Sequence, residues 1–404
     1  MSFFIIIYLF SFYVFDLYNI KNPSFNRLFK YSYPGAILFS TFLIFIQFWF
    51  FPYRFGRGVF LFNLVILTAL FLPWRIFVFR WVLRMISPQK VLVIGTHKEE
   101  IVLRSLVGMI PGYRICGSIP IGRDGRTNRP RHIRRKIESV LVGWTPDLII
   151  ISLNIRPERG WSEVFLWIRV KGIPVVDFPT FLENLTNKIP LSHINEDWLM
   201  LGAIFCKPRS VRYEKVKRVF DLIVASFSLA LSLPLFVIIA ALVKSTSKGP
   251  VFFIQERLGK NKKPFALWKF RSMVVKAEKG VPRWASPDDA RVTMVGRLLR
   301  KIRLDELPQL VNILRGDMSI VGPRPERQYF VRRLEAKIPF YSFRFMVKPG
   351  ITGWAQINYQ YGACIKDARQ KLMYELYYIK NQSLWLDLKI MAKTLKVIMF
   401  RAGR

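Results

Sequence analysis

Leu304-Asp305-Glu306-Leu307-Pro308-Gln309-Leu310, within residues 301–325, is the stretch on which the reading of the second half of the chain turns. Leu307, Leu310, Val311 and Leu314 recur at i, i+3, i+4 and i+7, and Gly316 follows, which predicts a short amphipathic helix closed by a glycine cap. Pro308 suits a first turn, where the amides have no intrahelical partner. Asp305 then stands at the helix mouth, where free amides and the helix dipole favour an anion. Two carboxylates and a set of donors meeting a phosphate make a phosphoryl-transfer centre. The same residues also suit a plain N-cap with an acidic first turn, so the dyad alone leaves structure and catalysis both open.

Its neighbours favour catalysis. Downstream come Gly316-Asp317-Met318-Ser319 and Gly322-Pro323-Arg324-Pro325, the second holding a guanidinium between two prolines that restrict the backbone, an arrangement suited to bidentate contact with phosphate. Further out lie Gly249-Pro250-Val251-Phe252-Phe253 with Gln255, Lys269-Phe270-Arg271-Ser272-Met273, Arg291-Val292-Thr293 with Gly296-Arg297, and Lys348-Pro349-Gly350-Ile351-Thr352-Gly353-Trp354-Ala355-Gln356.

With these motifs in this order, from about residue 215 to the C-terminus, the chain resembles the bacterial sugar transferase family. These are the monotopic polyprenyl-phosphate phosphoglycosyl transferases, and the closer likeness is to the long members that begin exopolysaccharide or O-antigen repeat units. The resemblance implies an undecaprenyl-phosphate sugar-1-phosphate transferase. Asp305 matches the nucleophile that attacks a UDP-sugar and expels UMP, and Glu306 matches the residue that helps hold Mg²⁺. Undecaprenyl phosphate then takes the sugar phosphate, with UDP-glucose and UDP-galactose the favoured donors and N-acetylated sugars left open. Lys269, Arg271 and Arg324 are candidates for phosphate contacts. Trp354 and Gln356 are candidates for shaping the nucleotide or sugar pocket, Trp354 equally for core or membrane-interface packing. Glu375 stands where the family usually carries an Asp and is assigned to the substrate site. Asp387 reads as a helix residue outside that site, and 388–399 as an amphipathic helix that rests on the membrane or packs on the domain.

Composition frames the rest of the chain. Of 404 residues 52% are hydrophobic, and 35 Phe and 11 Trp suit contact with lipid. The formal charge of +37 fits nucleic acid, an anionic membrane surface or phosphorylated substrates. The apolar runs, and the lack of an arginine-rich tail or a nucleic-acid module, favour membrane and phosphorylated substrates over nucleic acid. Cys116, Cys206 and Cys364 lie far apart with no metal-like spacing and read as reduced thiols; His97, His132 and His193 form no metal pair.

Three domains follow: membrane helices in 1–86, a parallel α/β domain in 87–205, and a largely helical catalytic domain in 206–404. Residues 3–19, 34–51 and 59–79 have nearly the length a bilayer demands, which predicts about three spans. Basic residues around the end of the third place Ser87 onward in the cytoplasm, at the inner membrane of a bacterium. Long family members usually carry four spans, one more than this chain. In the middle domain 91–95, 148–152 and 173–177 read as strands of a Rossmann-like sheet. The glycine fingerprint of a dinucleotide site is missing, because Gly95 is followed by Thr96, His97, Lys98 and Glu99. The basic run 123–136 reads as a solvated face or a contact with headgroups or nucleotide.

Residues 221–243 are nearly all apolar and long enough to span a membrane, but lysines flank both ends. Ser232-Leu233-Pro234 falls near the middle. The prediction is therefore a re-entrant helix-break-helix over about 216–243, entering one leaflet and returning, in place of an ordinary span. Three functional classes compete: the transferase, possible as a homo-oligomer; an NAD-dependent nucleotide-sugar enzyme using the middle domain; and an inactive scaffold of a polysaccharide assembly machine.

Overall fold

The computed structural model describes residues 87–108, 112–121, 130–152, 160–194, 198, 211–246, 249–274, 289–359, 362 and 364–400, with a few single positions before 87. The three expected N-terminal spans, Cys206, and 123–129 of the basic run fall outside these stretches. The chain divides into two compact units, Met1–Leu182 and Glu183–Arg404.

The first unit carries a parallel sheet. Strands β1 (Gln89–Gly95), β2 (Tyr113–Pro120), β3 (Leu148–Ile151) and β4 (Val175–Asp177) lie in the order β2-β1-β3-β4. Helices α1 (His97–Val107), α2 (Pro130–Gly143) and α3 (Trp161–Val170) make the crossovers, and α4 (Phe178–Thr186) follows β4. Val91 to Ile94 and all of β3 are buried, as expected for parallel strands covered on both faces. Leu92, Ile94 and Ile149 pack with Ile133 and Ile137 of α2 and Ile168 of α3.

Strands β1, β3 and β4 match the sequence reading; β2 is an addition to it. Tyr113-Arg114-Ile115-Cys116-Gly117 alternates half-buried and exposed positions, as an edge strand does, and its pairing with β1 shifts register between Val91 and Leu92. At the mouth of α1, Thr96 caps the helix, and the buried Glu99 carboxylate accepts bonds from the Thr96 amide and hydroxyl (2.9 Å each) and from Ser152 (2.8 Å). This is the crevice between β1 and β3 where an open parallel sheet would take a dinucleotide. A pyrophosphate there would meet a buried carboxylate of its own sign, so these residues do not fit that cofactor.

The second unit is built on α5 (Val211–Thr246), 36 residues long and, among the described residues, the one helix long and apolar enough to cross a membrane. Ile223, Phe227 and Leu231 form part of an exposed apolar face at i, i+4 and i+8. The expected interruption at Ser232-Leu233-Pro234 is absent: the backbone stays helical through Pro234. Proline keeps a helical φ and removes a single amide, and the Ser232 hydroxyl donates to the Leu229 carbonyl at 3.1 Å, so this site loses one bond without ending the helix.

Polar side chains tie the amino-terminal part of α5 to the domain. Arg218 donates to the Ile313 and Leu314 carbonyls (2.6 and 2.8 Å), and Asp221 accepts the Ile320 amide at 3.1 Å. The carboxyl-terminal part packs through Ile239 and Val243 on Phe270 and Leu299. Around α5 are the antiparallel hairpin β5 (Phe252–Leu258) and β6 (Pro264–Phe270), then α6 (Met294–Lys301), α7 (Gln309–Arg315) and β7 (Ser319–Val321). Next come α8 (Gln328–Glu335), β8 (Gly350–Thr352), α9 (Trp354–Asn358), α10 (Ile365–Lys380) and α11 (Leu384–Phe400), with β8 parallel to β7.

Candidate active site

Asp305 and Glu306 lie in a 3₁₀ turn, Leu304–Glu306, that leads into α7. The flanking Leu304 and Leu307 pack into the cluster of Ile239, Val243, Phe270 and Leu299, so the turn is fixed against the carboxyl-terminal half of α5. Gly316 closes α7 with φ +95°, as the sequence predicts. Pro308 is the N-cap of α7. The expectation of free amides at this mouth holds only in part, since four of them are taken. The Glu306, Leu307, Leu310 and Val311 N–H groups bond to Arg303, Leu304, Leu307 and Pro308 carbonyls, because the turn runs straight into the helix. Side-chain cations add to the attraction for an anion.

Those cations are in place. Arg324 pairs with Glu306 Oε1 at 2.5 Å, and Lys269 approaches the same oxygen at 3.5 Å. Burial opposes the charged form of Glu306, but Arg324 and Lys269 outweigh it and hold this carboxyl far below the ordinary carboxylate range. Asp305 differs. It is 7% exposed and makes no hydrogen bond or salt bridge to any described residue. Burial and the Glu306 charge push its pKa up. One carboxylate of the dyad is locked, and the other is buried with its charge uncompensated by contact. Burial also lowers the Lys269 pKa, against the pull of Glu306.

The hairpin delivers the basic residues. Lys269 sits on β6 opposite Phe253, and Arg271 follows β6 with its amide bonded to Val251. The buried Arg271 guanidinium lies against Gly249 (φ +130°), where an added side chain would collide with it. The fully buried Asn312 of α7 pins β6 to the dyad helix, donating to Ala266 O (2.7 Å) and accepting from the Trp268 amide (3.1 Å). Across the turn, α6 starts at Thr293, whose hydroxyl accepts the Gly296 amide at 3.0 Å. Arg300 donates to Ser272 at 2.8 Å. Gly296 packs so closely on the Ser272 backbone that a Cβ would overlap its carbonyl. Gly296→Ala should therefore cost about 1–3 kcal/mol through overpacking, read as a lower midpoint of thermal unfolding.

The predicted site residues thus divide. Asp305, Glu306, Lys269 and Arg324 meet in one cluster, and Arg271 lies two residues from Lys269. Glu375 is buried on α10 and paired with Arg344 at 2.8 Å. Gln356 on α9 donates to Ile351 O (2.9 Å), while its buried Oε1 has no partner among the described residues. Trp354 is core: 4% exposed, stacked on Tyr377, donating to Asn187 O, with Lys389 and Lys393 of α11 over its ring. Asn312 and Arg344 were missed by sequence reading. The one signal for Arg344 was a cation inside the apolar run Tyr341-Ser342-Phe343-Arg344-Phe345-Met346.

For a divalent cation the two carboxylates are a small ligand set, and no group of three or more His, Cys, Asp or Glu is gathered among the described residues. This set fits Mg²⁺, which binds through one or two carboxylates with phosphate oxygens and water completing its shell. Asp305 and the Glu306 oxygen not engaged by Arg324 and Lys269 are the groups that would hold it.

Residues 212–401 match the family model described as bacterial sugar transferase. The chain is 41% identical over 258 residues to a UDP-N-acetylgalactosamine-undecaprenyl-phosphate N-acetylgalactosaminephosphotransferase of Aeromonas hydrophila, covering 64% of this chain and 60% of that one. It is 46% identical over 257 residues to a UDP-glucose:undecaprenyl-phosphate glucose-1-phosphate transferase of Klebsiella pneumoniae, covering 62% and 54%. With an uncharacterized sugar transferase of Bacillus subtilis it shares 41% identity over 192 residues, 46% of this chain and 89% of that one. The match thus spans little more than half the length of the first two relatives.

Proposed function

From the premise that this chain belongs to the bacterial sugar transferase family, we propose that it transfers a sugar 1-phosphate from a UDP-sugar to undecaprenyl phosphate. The observation that carries this reading is the asymmetric dyad: a buried Asp305 with no hydrogen bond or salt bridge among the described residues, beside a Glu306 locked by Arg324 and Lys269. An Asp305 oxygen attacks the sugar-side phosphorus, and the bond to the UMP oxygen breaks as UMP leaves. The sugar phosphate stays on Asp305 as an acyl phosphate. A phosphate oxygen of the lipid then attacks the same phosphorus, and the Asp305 carboxylate is regenerated. Lys269, Arg271 and Arg324 supply positive charge for the phosphates. Bound Mg²⁺ would offset repulsion between the anionic nucleophile and the diphosphate.

Around this centre the rest of the reading is assembled. α5 enters the inner membrane as one continuous helix through its exposed apolar face, the N-terminal spans add a multi-pass anchor, and the catalytic unit works on the cytoplasmic face. The product starts an exopolysaccharide or O-antigen repeat unit. UDP-glucose and UDP-galactose are the proposed donors. The names of the relatives add UDP-N-acetylgalactosamine to the donors worth assaying.

The test is UMP release by detergent-solubilised protein from UDP-glucose, UDP-galactose and their N-acetylated counterparts, with and without Mg²⁺ and undecaprenyl phosphate. Lipid-dependent UMP from one donor supports the reading and names the sugar; no UMP from any donor sinks it. The dyad also sets the pH dependence. Protonated Asp305 is not a nucleophile, so kcat/KM should fall as pH drops through its pKa, which burial and Glu306 raise and bound Mg²⁺ would lower. In Glu306→Gln the neighbouring negative charge is gone. The limb of the residual activity should move to lower pH, and an unmoved limb would assign it to another group.

A further inference from the structure

Among the described residues, the backbone of the loop that presents Arg324 is held through its carbonyls. Pro323 and Pro325 have no amide to donate. Instead, four successive carbonyls each accept a bond: Pro323 from the Gly350 amide (2.9 Å), Arg324 from Arg344 (2.8 Å), Pro325 from Arg257 (3.3 Å) and Glu326 from the Leu258 amide (3.0 Å). Two of these donors are side chains, and Arg344 grips the very residue whose guanidinium sits on Glu306. Arg344 is itself 6% exposed and tightly held. Its Nη2 is shared between the Arg324 carbonyl and Glu375 Oε1, each at 2.8 Å, its Nη1 bonds to the Tyr341 hydroxyl, and it lies over the rings of Tyr341 and Phe345.

Resting on the transferase reading, we propose that Arg344 and Glu375 are positioning residues. Glu375 holds Arg344, Arg344 holds the Arg324 carbonyl, and the proline-restricted backbone converts that grip into a fixed direction for the Arg324 side chain onto Glu306. The argument is geometric. The flanking prolines limit rotation on both sides of Arg324, and the Arg344 bond further restricts the peptide plane from which its side chain springs. A guanidinium is suited to this, because a single nitrogen with two hydrogens reaches a carbonyl and a carboxylate at once. Glu375 then acts on the phosphate site through two intermediaries.

The test replaces the buried pair by an apolar pair of similar volume, Arg344→Met with Glu375→Leu, since such exchanges commonly preserve folding while removing the polar contact. UMP release is compared in the wild-type and in an Arg324→Lys background, with thermal unfolding measured for each protein. The expected result is a fold retained and kcat lowered about ten- to a hundred-fold in the wild-type background, as for a slight misplacement of a catalytic cation. In the Arg324→Lys background the further loss should be much smaller, because the group being aimed has already been changed. Equal losses in both backgrounds, or unchanged kcat, would overturn the proposal. If the apolar pair does not fold, Arg344→Lys keeps a charge for Glu375 but gives up the fork, and the same cycle is run with it. Failure of the transferase reading shows separately, as no UMP from the unmodified protein; the cycle is then read on unfolding midpoints, where additivity of the two changes would overturn the positioning role.

Discussion

Asp305→Asn should cut UMP release by about ten-thousand-fold or more, the scale of losing a covalent nucleophile, and should leave the protein as stable as before or more so. Both halves of that result follow from its surroundings. Asp305 makes no hydrogen bond or salt bridge with any described residue, so the fold loses no such contact when it is replaced. Burial and Glu306 raise its pKa above that of an unfolded chain, so the folded state binds the Asp305 proton more readily than the unfolded one does. Its contribution to stability is therefore favourable at low pH and is lost as pH rises through the folded pKa. Above its folded pKa the charged Asp305 weighs against folding, and a neutral amide of the same shape removes that penalty. The measurements are UMP release, the midpoint of thermal unfolding at pH 7, and the intact mass of protein incubated with the donor. The wild type should gain the mass of one sugar phosphate and Asp305→Asn should not. An adduct surviving in the variant would place the nucleophile elsewhere. A midpoint lowered by several degrees would mean that Asp305 is structural.

The sequence carries this centre well because its signals are local. A carboxylate pair, a periodic apolar face and a capping glycine lie within residues 304–316, and the structure keeps the helix and its cap. Strands β1, β3 and β4 are legible for the same reason: buried parallel strands are short unbroken apolar runs. Legibility fails where a residue's role depends on a distant partner. The edge strand β2 has no apolar run to announce it, and Pro234 looks like a break until the helix around it is seen to continue. The Glu306 and Leu307 amides are taken up by a 3₁₀ turn that periodicity does not reveal. Glu375 is recognisable as an acid of the right kind in the right motif, but that its partner is Arg344, 31 positions earlier, is a fact of packing. Asp387 is the extreme case. It reads as one polar residue on a helix, yet it bonds to Tyr213 and Lys217, 174 and 170 positions away.

That last contact supports the largest stability effect expected from a single change. Asp387 is 1% exposed and accepts from Lys217 at 2.7 Å, from Tyr213 at 3.1 Å and from Tyr378 at 2.8 Å. Tyr378 is fully buried, and its hydroxyl also lies 3.1 Å from the Val321 carbonyl on β7. One carboxylate thus joins the charged start of α5 to α10, α11 and the strand that leads into the Arg324 loop. Replacing it by Ala leaves the Lys217 ammonium, only 13% exposed, without its counter-charge, and leaves the Tyr213 hydroxyl without this acceptor. Breaking one side of a buried ion pair costs about 3–5 kcal/mol, chiefly through the charge left behind. Asp387→Ala should therefore lower the unfolding midpoint by many degrees. Adding Lys217→Met should recover part of the loss, since the orphaned charge is then gone. A full loss in Asp387→Ala with no recovery in the double variant would show that the cost lies in the tyrosine bonds and not in the ion pair. An unchanged midpoint would mean that α5 is held by Arg218, Asp221 and its apolar face alone.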